Sequence, residues 1–152
     1  MAETAQVDAG LGDDRIQVWH THPGRFLPVD RVRSMASGVL KDEGVTPHYV
    51  GIVLSRRDRI HEMNREFLDH DYPTDVISFP ITEQRDALEG EVYVDLDMAA
   101  DRAREFGETF RREAARYVVH GLLHLAGHDD ATDSQRNRMR VLENRYLSRH
   151  WD

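Results

Sequence analysis

The stretch His120-Gly-Leu-Leu-His-Leu-Ala-Gly-His-Asp-Asp130 decides how this sequence is interpreted. His120 and His124 are four residues apart, so on a helix they lie on one face, with Cβ atoms about 5–6 Å apart. Two imidazoles at that separation can bind one metal ion through bonds of about 2.0–2.1 Å. Apolar residues surround the pair, which predicts a buried helix. Buried imidazoles need polar partners, and a metal ion would serve both.

The residues that follow the histidine pair strengthen the case for a metal site. A pair at this spacing arises easily by chance in a chain with nine histidines. Gly127, however, predicts a sharp turn at the end of the helix, because glycine tolerates the left-handed backbone that closes helices. The returning chain then offers His128, Asp129 and Asp130 as further ligands. The alternative interpretation is that both histidines are hydrogen-bonded core residues without a metal.

Composition restricts the chemistry of any such site. The chain has 152 residues and no cysteine, which excludes a thiolate zinc site, a disulfide and a cysteine nucleophile. A metal must therefore be held by nitrogen and oxygen, and we expect zinc. No apolar run approaches the roughly 20 residues of a membrane span, and the N-terminus does not resemble a secretory signal. We expect a cytoplasmic protein with no membrane association.

Charge is unevenly distributed along the chain. The formal net charge is −8, which argues against binding a polyanion through the overall field. Residues 101–152, however, carry 10 arginines against nine carboxylates. A local basic surface could be formed there by Arg111, Arg112, Arg116, Arg136, Arg138 and Arg140. The alternative is an ordinary solvated face of mixed charge.

Periodicity predicts the order of the helices and strands. Runs rich in β-branched and aromatic residues predict strands at 15–20, 49–54, 75–79 and 91–95. Apolar residues spaced three and four apart predict helices at 28–43, 58–67, 97–106, 109–126 and 133–149. Residues 1–14 are expected to form a flexible tail and residues 15–152 a single domain. The predicted fold class is mixed α/β (α+β), a small sheet flanked by helices.

Three blocks of this sequence resemble the YbeY family of bacterial rRNA-maturation endoribonucleases. The family signature is HGxLHLxGYDH, and residues 120–127 agree with its first eight positions, whereas His128-Asp129-Asp130 stand in place of Tyr-Asp-His. The family block LNxxYRxxDxPTDVLSFP resembles residues 63–80, which end in Pro-Thr-Asp-Val-Ile-Ser-Phe-Pro. The family's Gly-Asp-Ile strand resembles Gly90-Glu91-Val92. The blocks occur in the family's order, and the similarity covers roughly residues 50–147.

The resemblance implies a fold and an activity. The fold would be a mixed four-stranded sheet with helices packed on it and a zincin-like metal helix through His120. The activity would be that of a metal-dependent, single-strand-specific endoribonuclease in 16S ribosomal RNA maturation and ribosome quality control. Its partners would be single-stranded or ribosomal RNA and the small ribosomal subunit, and no DNA substrate is expected.

The resemblance also implies the metal ligands. One zinc ion would be bound by His120, His124 and Asp130, with His128 as the alternative third ligand. Asp130 stands where the family has histidine, and a carboxylate oxygen can bind zinc at about 2.0–2.2 Å. His120 is also expected to act in catalysis.

A second departure from the family concerns phosphate binding. Leu68 stands where the family has an arginine thought to act on the RNA phosphate, and leucine cannot make a charge-assisted contact. Arg65, one helical turn earlier, is therefore the predicted catalytic replacement, with His70 as a second candidate. The alternative is that Arg65 is a solvated helix residue. The shared block also predicts three substrate-binding residues: Thr74, Asp75 and Ser78.

Gly121 separates the endoribonuclease hypothesis from a metallopeptidase. In HExxH peptidases the residue after the first histidine is the glutamate that activates the metal-bound water, and glycine cannot do this. A zincin-type metallopeptidase is therefore the least favoured hypothesis. The other alternative is a non-catalytic ribosome-assembly factor with structural zinc, in which His128 or Asp129 would complete a closed four-ligand site.

Overall fold

The computed structural model describes residues 6–7, 15–68, 74–82 and 84–152, and this part of the chain forms five strands and five helices. The strands are β1 (Gln6–Val7), β2 (Ile16–His20), β3 (Pro47–Ser55), β4 (Val76–Thr82) and β5 (Leu88–Asp95). The helices are α1 (Val29–Asp42), α2 (Arg57–Leu68), α3 (Leu96–Phe106), α4 (Phe110–Leu125) and α5 (Asp133–His150). Each predicted helix and strand is present, with boundaries that differ by three residues or fewer.

The strands form one mixed sheet in the order β1-β2-β3-β5-β4. β2, β3 and β5 are parallel, and β4 pairs antiparallel with β5 at one edge. These four strands are the predicted four-stranded mixed sheet, which confirms the fold class. Gln6 and Val7 add a short fifth strand, antiparallel to β2, that the sequence did not predict. The rest of the predicted flexible tail, in residues 1–14, lies outside the described residues.

Helices cover both faces of the sheet, and the alternation of side chains along each strand decides which helix a residue meets. α4 packs on one face against β4 and β5, with α1 and α5 beside it. Val92 of β5 points to this face and lies against Gly121 of α4. α2 packs on the opposite face, where Met63 contacts Ile77 of β4. The metal-helix candidate and α2 are therefore on different sides of the sheet.

α4 is a central helix of the hydrophobic core. Its fully buried valine and leucine residues are Val118, Val119, Leu122 and Leu123. Burying each side chain of this size stabilises the fold by about 1.5–3 kcal/mol, so the position of the helix is firmly fixed. His120 and His124 are consequently carried on a rigid support. Among the described residues, no helix combines the length and apolar character needed to cross a bilayer.

Candidate metal centre

The end of α4 brings the candidate ligands together. The helix closes in a Schellman motif, in which the His128 N–H donates to the Leu123 carbonyl and the Gly127 N–H donates to the His124 carbonyl, both at 3.0 Å. Gly127 has a φ of 104°, a conformation that is strained for any residue with a side chain. The turn reverses the chain, and Asp130 returns to the histidine pair.

His120, His124 and Asp130 form a compact group of potential metal ligands. The two Nε2 atoms are 3.1 Å apart, and the Asp130 carboxylate oxygens lie 3.3 Å from His120 Nε2 and 3.4 Å from His124 Nε2. Atoms bound tetrahedrally to zinc at about 2.0–2.1 Å are separated from one another by roughly the same distance. All three side chains are partly exposed. The group therefore fits one metal ion and is accessible from solvent.

A buried glutamate pairs with His120 on the side of the imidazole that faces away from the ligand group. Glu143 Oε2 lies 2.7 Å from His120 Nδ1, which leaves His120 Nε2 facing His124 and Asp130. A proton on Nδ1 is donated to this carboxylate, and Nε2 then carries the lone pair that a metal requires. Burial alone would lower the pKa of His120, but the hydrogen bond and negative charge of Glu143 outweigh burial and raise the pKa.

Arg116 compensates the negative charge behind His120. Its guanidinium lies 3.3 Å from Glu143 and 3.4 Å from Glu113, and both glutamates are buried. Burial raises the pKa of Glu113. The Glu143 carboxylate is therefore fixed between two donors, the imidazole of His120 and the guanidinium of Arg116.

His128, the alternative third ligand, lies outside the ligand group. Its Nε2 is 2.6 Å from Glu43 Oε1, and the Tyr146 hydroxyl donates to the other carboxylate oxygen of Glu43. Burial would raise the pKa of Glu43, but the hydrogen bonds from Tyr146 and His128 outweigh burial and lower it. His128 thus anchors the turn that carries Asp130, because Glu43 follows α1 and Tyr146 belongs to α5.

A cleft of about 470 Å³ opens from the ligand group toward β4. It is lined by all three predicted substrate-binding residues, Thr74, Asp75 and Ser78. Thr74 Oγ1 lies 3.5 Å from Asp75 Oδ1. The Ser78 hydroxyl donates to the Gly121 carbonyl at 3.0 Å, so it also ties β4 to α4.

Gly121 is required by the packing of α4 on the sheet. A Cβ atom at this position would lie 2.4 Å from Val92 Cγ1 and 3.1 Å from Val76 Cγ2, both shorter than van der Waals contact. The glutamate of HExxH peptidases would therefore not fit here. The structure gives a steric reason, in addition to the chemical one, why this site lacks that residue.

The predicted catalytic Arg65 does not lie with the ligand group. It is exposed on α2, across the sheet from α4, and is not among the described residues that line the clefts beside His120. Leu68 is the last residue of α2. His70, the second candidate, lies outside the described residues.

A second cleft, of about 400 Å³, opens from His120 between α3 and α5, with α4 as its floor. Four arginines line it: Arg102, Arg116, Arg136 and Arg140. Three of them belong to the predicted basic surface. Arg112, also in that predicted set, instead pairs with Glu108 and Asp152. Phe106 at the end of α3 completes the cleft wall and is 70% exposed.

Sequence reasoning missed two residues of the site, Glu143 and Phe106. A weak signal for Glu143 was present, because it shares a helical face with the buried Met139, Leu142 and Tyr146. A glutamate among inward-facing residues requires a buried partner. Phe106 gave no comparable signal, since its place in a cleft depends on how α3 and α5 pack around α4.

Comparisons with known proteins identify the family of this chain. The family described as Endoribonuclease YbeY matches residues 27–150 of this chain. A relative of that name from Salinibacter ruber is 43% identical over 141 residues, covering 88% of this chain and 90% of the relative. One from Chlorobium phaeovibrioides is 38% identical over 128 residues, covering 84% and 86%. The solution structure of a Thermotoga maritima protein matches 80% of each chain with 34% identity and a TM-score of 0.60. The chain therefore belongs to the endoribonuclease YbeY family, as its sequence blocks predicted.

Proposed function

We propose that this protein is a metal-dependent endoribonuclease that cleaves single-stranded RNA and acts in 16S ribosomal RNA maturation and ribosome quality control. Its curated relatives carry the name of an endoribonuclease, which supports the reaction. The single observation that carries the metal dependence is the spacing of three ligand atoms, 3.1–3.4 Å apart, on His120, His124 and Asp130. The proposed cellular partner is the small ribosomal subunit, and the proposed location is the cytoplasm.

Zinc is the metal that we propose for this site, with one ion per chain. Two imidazoles and a carboxylate at tetrahedral spacing are typical zinc ligands. Within the described residues, no fourth histidine, aspartate or glutamate joins the group. Three protein ligands leave one coordination position open, which is typical of catalytic sites, whereas structural zinc sites are closed by four. This favours the enzyme over the non-catalytic assembly factor.

The chain's own residues would orient the reaction. A bound zinc ion would polarise the scissile phosphate or activate the nucleophile. Glu143 keeps His120 Nε2 directed at the ligand group, so the histidine's tautomer and orientation are set before substrate arrives. Asp75 lines both clefts beside His120, and we propose that its carboxylate accepts a hydrogen bond from a ribose hydroxyl. Thr74 and Ser78 are the other proposed substrate contacts.

The experiment that tests this proposal compares substrates on one preparation of zinc-loaded protein. Single-stranded RNA, duplex RNA, single-stranded DNA and casein are incubated with wild-type protein and with His124→Ala. We expect cleavage of single-stranded RNA alone, its loss with a chelator and its return when zinc is added back. A 16S precursor RNA should be cut at a few defined positions, whereas cleavage of a scrambled RNA of equal length should not be confined to defined positions.

Two results would contradict the proposal. Cleavage that survives both the chelator and His124→Ala would show that the metal group is not used. Cleavage of casein without cleavage of RNA would instead restore the metallopeptidase hypothesis.

A further inference from the structure

We propose that bound RNA leaves the metal centre on one side only, along the groove between α3 and α5. In this groove Phe106 stacks on a base, and Arg102 and Arg140 contact phosphates. The inference rests on the proposed endoribonuclease function and adds to it the direction and the contacts of the substrate strand.

The groove is continuous with the metal centre. α4 forms its floor, and His120 lies at one end of that floor with Glu113 seven residues, or two helical turns, away. Two turns of helix correspond to about 10 Å, so the groove extends well beyond the ligand group itself. Arg102 and Phe106 on α3 form one wall, and Arg140 on α5 belongs to the other. A strand bound at His120 can therefore continue between the two helices.

Phe106 offers an aromatic surface at the open side of this groove. Its side chain is 70% exposed, the highest value among the exposed large hydrophobic residues of the described chain. Single exposed apolar residues are ordinary, but this one lines a cleft together with arginines and a metal-ligand group. Proteins that hold single-stranded nucleic acid combine such a stacking ring with cationic side chains along the backbone.

The arginines of the groove differ in how far they are already engaged. Arg116 is partly buried and pairs with Glu113 and Glu143, and Arg136 donates to the Ala131 carbonyl and pairs with Asp133. These two are structural. Arg102 has one exposed pair, to Glu105 at 3.4 Å, which contributes little in water.

Arg140 is the second available cation. It is exposed and forms no ion pair with any residue that the structure describes. Arg102 and Arg140 can therefore bind phosphate without breaking a buried contact. They stand on opposite walls of the groove, so a strand running between the walls meets a guanidinium on each side.

The cleft on the other side of the metal centre differs from the groove in its cations. Carboxylates line both, since Asp75 and Asp130 belong to each, but four arginines offset them in the groove. Among the described residues that line the other cleft there is no lysine or arginine. Beyond the proposed contacts with Thr74 and Ser78, an RNA phosphate in this cleft would meet carboxylates and, among the described residues, no cation to offset them. The charges on the two sides of the ligand group thus favour one exit path. We infer that nucleotides on one side of the scissile bond contribute most of the binding energy.

A substrate ladder tests this inference directly. Single-stranded RNA oligonucleotides that share one cleavage site are extended stepwise at the 5′ end or at the 3′ end, and kcat/KM is measured for each. We expect kcat/KM to rise with extension at one end and to stay constant with extension at the other. Phe106→Ala should remove most of that rise, by roughly 5- to 150-fold on the long substrates, and leave the shortest substrate unaffected. Phe106→Tyr should restore it.

Matched variants separate the groove from general effects of the substitution. Phe67→Ala removes another exposed aromatic residue, 61% exposed on α2 across the sheet, and should change nothing. Arg140→Ala should weaken binding of the long RNA and reduce the log–log salt slope by about 0.7. Arg138→Ala, an exposed arginine of the same helix that is not among the residues lining the groove, should leave the slope unchanged. Zinc content is measured for each variant and should equal that of the wild type.

The outcomes distinguish this inference from the proposed function. If wild-type protein cleaves RNA but both ends of the substrate contribute equally, the one-sided path is wrong and the endoribonuclease assignment stands. The same conclusion follows if Phe106→Ala behaves like Phe67→Ala. If wild-type protein cleaves no RNA, both the function and the path are overturned.

Discussion

Replacing Glu143 tests whether this buried carboxylate prepares His120 to bind metal. The contact is short, 2.7 Å between Glu143 Oε2 and His120 Nδ1, and Glu143 is only 7% exposed. Hydrogen bonds with an ionised partner are about twice as strong as neutral ones. Loss of such a partner behind a metal-binding histidine typically weakens metal affinity 10- to 100-fold. We therefore expect Glu143 variants to bind zinc more weakly with all three ligand residues intact.

The two ends of that range correspond to two substitutions. Glu143→Gln keeps the size and an acceptor oxygen for Nδ1 but loses the charge, so we expect about a 10-fold loss, or 1.4 kcal/mol. Glu143→Ala leaves the Nδ1 proton and the guanidinium of Arg116 without their shared partner in a buried place. We expect the zinc affinity of Glu143→Ala to fall about 100-fold, or about 2.7 kcal/mol.

Zinc affinity is measured by competition with a chelating dye, with thermal unfolding of the zinc-free protein in parallel to report folding. Glu113→Gln is the matched control, because Glu113 is also buried and pairs with Arg116 but has no contact with His120. It should bind zinc within twofold of wild type. The reasoning is refuted if Glu143→Ala retains wild-type affinity, or if Glu113→Gln weakens zinc binding as much as Glu143→Gln.

Three further predictions concern packing, pH and the third ligand. Gly121→Ala should lower the free energy of unfolding by about 1–2 kcal/mol in urea denaturation, because the cost of overpacking against Val92 is larger than the gain from the helix preference of alanine. Gly24→Ala is the control, since its Cβ would have no neighbour within 4 Å, and it should change the free energy of unfolding little. Burial raises the pKa of Asp95 from 3.8 to about 6, so the folded state holds this proton more tightly and stability falls as pH rises between those values. Asp95→Asn keeps the N-cap acceptor and should raise the free energy of unfolding by up to about 3 kcal/mol at pH 8 and leave it unchanged at pH 3. An equal increase at both pH values would show that ionisation of Asp95 is not the cause. Asp130→Ala should be isolated without zinc and His128→Ala with one zinc, and the reverse pattern would make His128 the third ligand.

The parts of the site that lie within one short stretch of sequence could be predicted, because their geometry depends only on neighbouring residues. The i, i+4 spacing of His120 and His124 sets their shared face, and Gly127 sets the turn, whatever the rest of the chain does. Both features are present as predicted, with Gly127 at a φ of 104°. The return of Asp130 follows from the same turn, so all three members of the ligand group lie within eleven consecutive residues.

Contacts that depend on packing between distant elements could not be predicted in this way. Glu143 reaches His120 only because α5 packs against α4, and His128 is drawn away from the ligand group by Glu43, 85 residues earlier. Gly121 shows a subtler limit. Its lack of a side chain was interpreted chemically, as the absence of a catalytic glutamate, whereas the structure shows that contact with Val92 also demands glycine.

The aspartate at position 130 and the arginine-lined groove are connected by charge. An anionic third ligand partly neutralises a bound divalent cation, whereas the charge of Glu143 behind His120 is already compensated by Arg116. A metal in this site would therefore attract an RNA phosphate less strongly than one held by three neutral imidazoles. The cations that offset the substrate's charge must then come from the protein, and the groove beside His120 supplies Arg102 and Arg140. The proposed carboxylate ligand and the proposed exit path along these arginines would act together, so a chain with a net charge of −8 could bind RNA at one local surface.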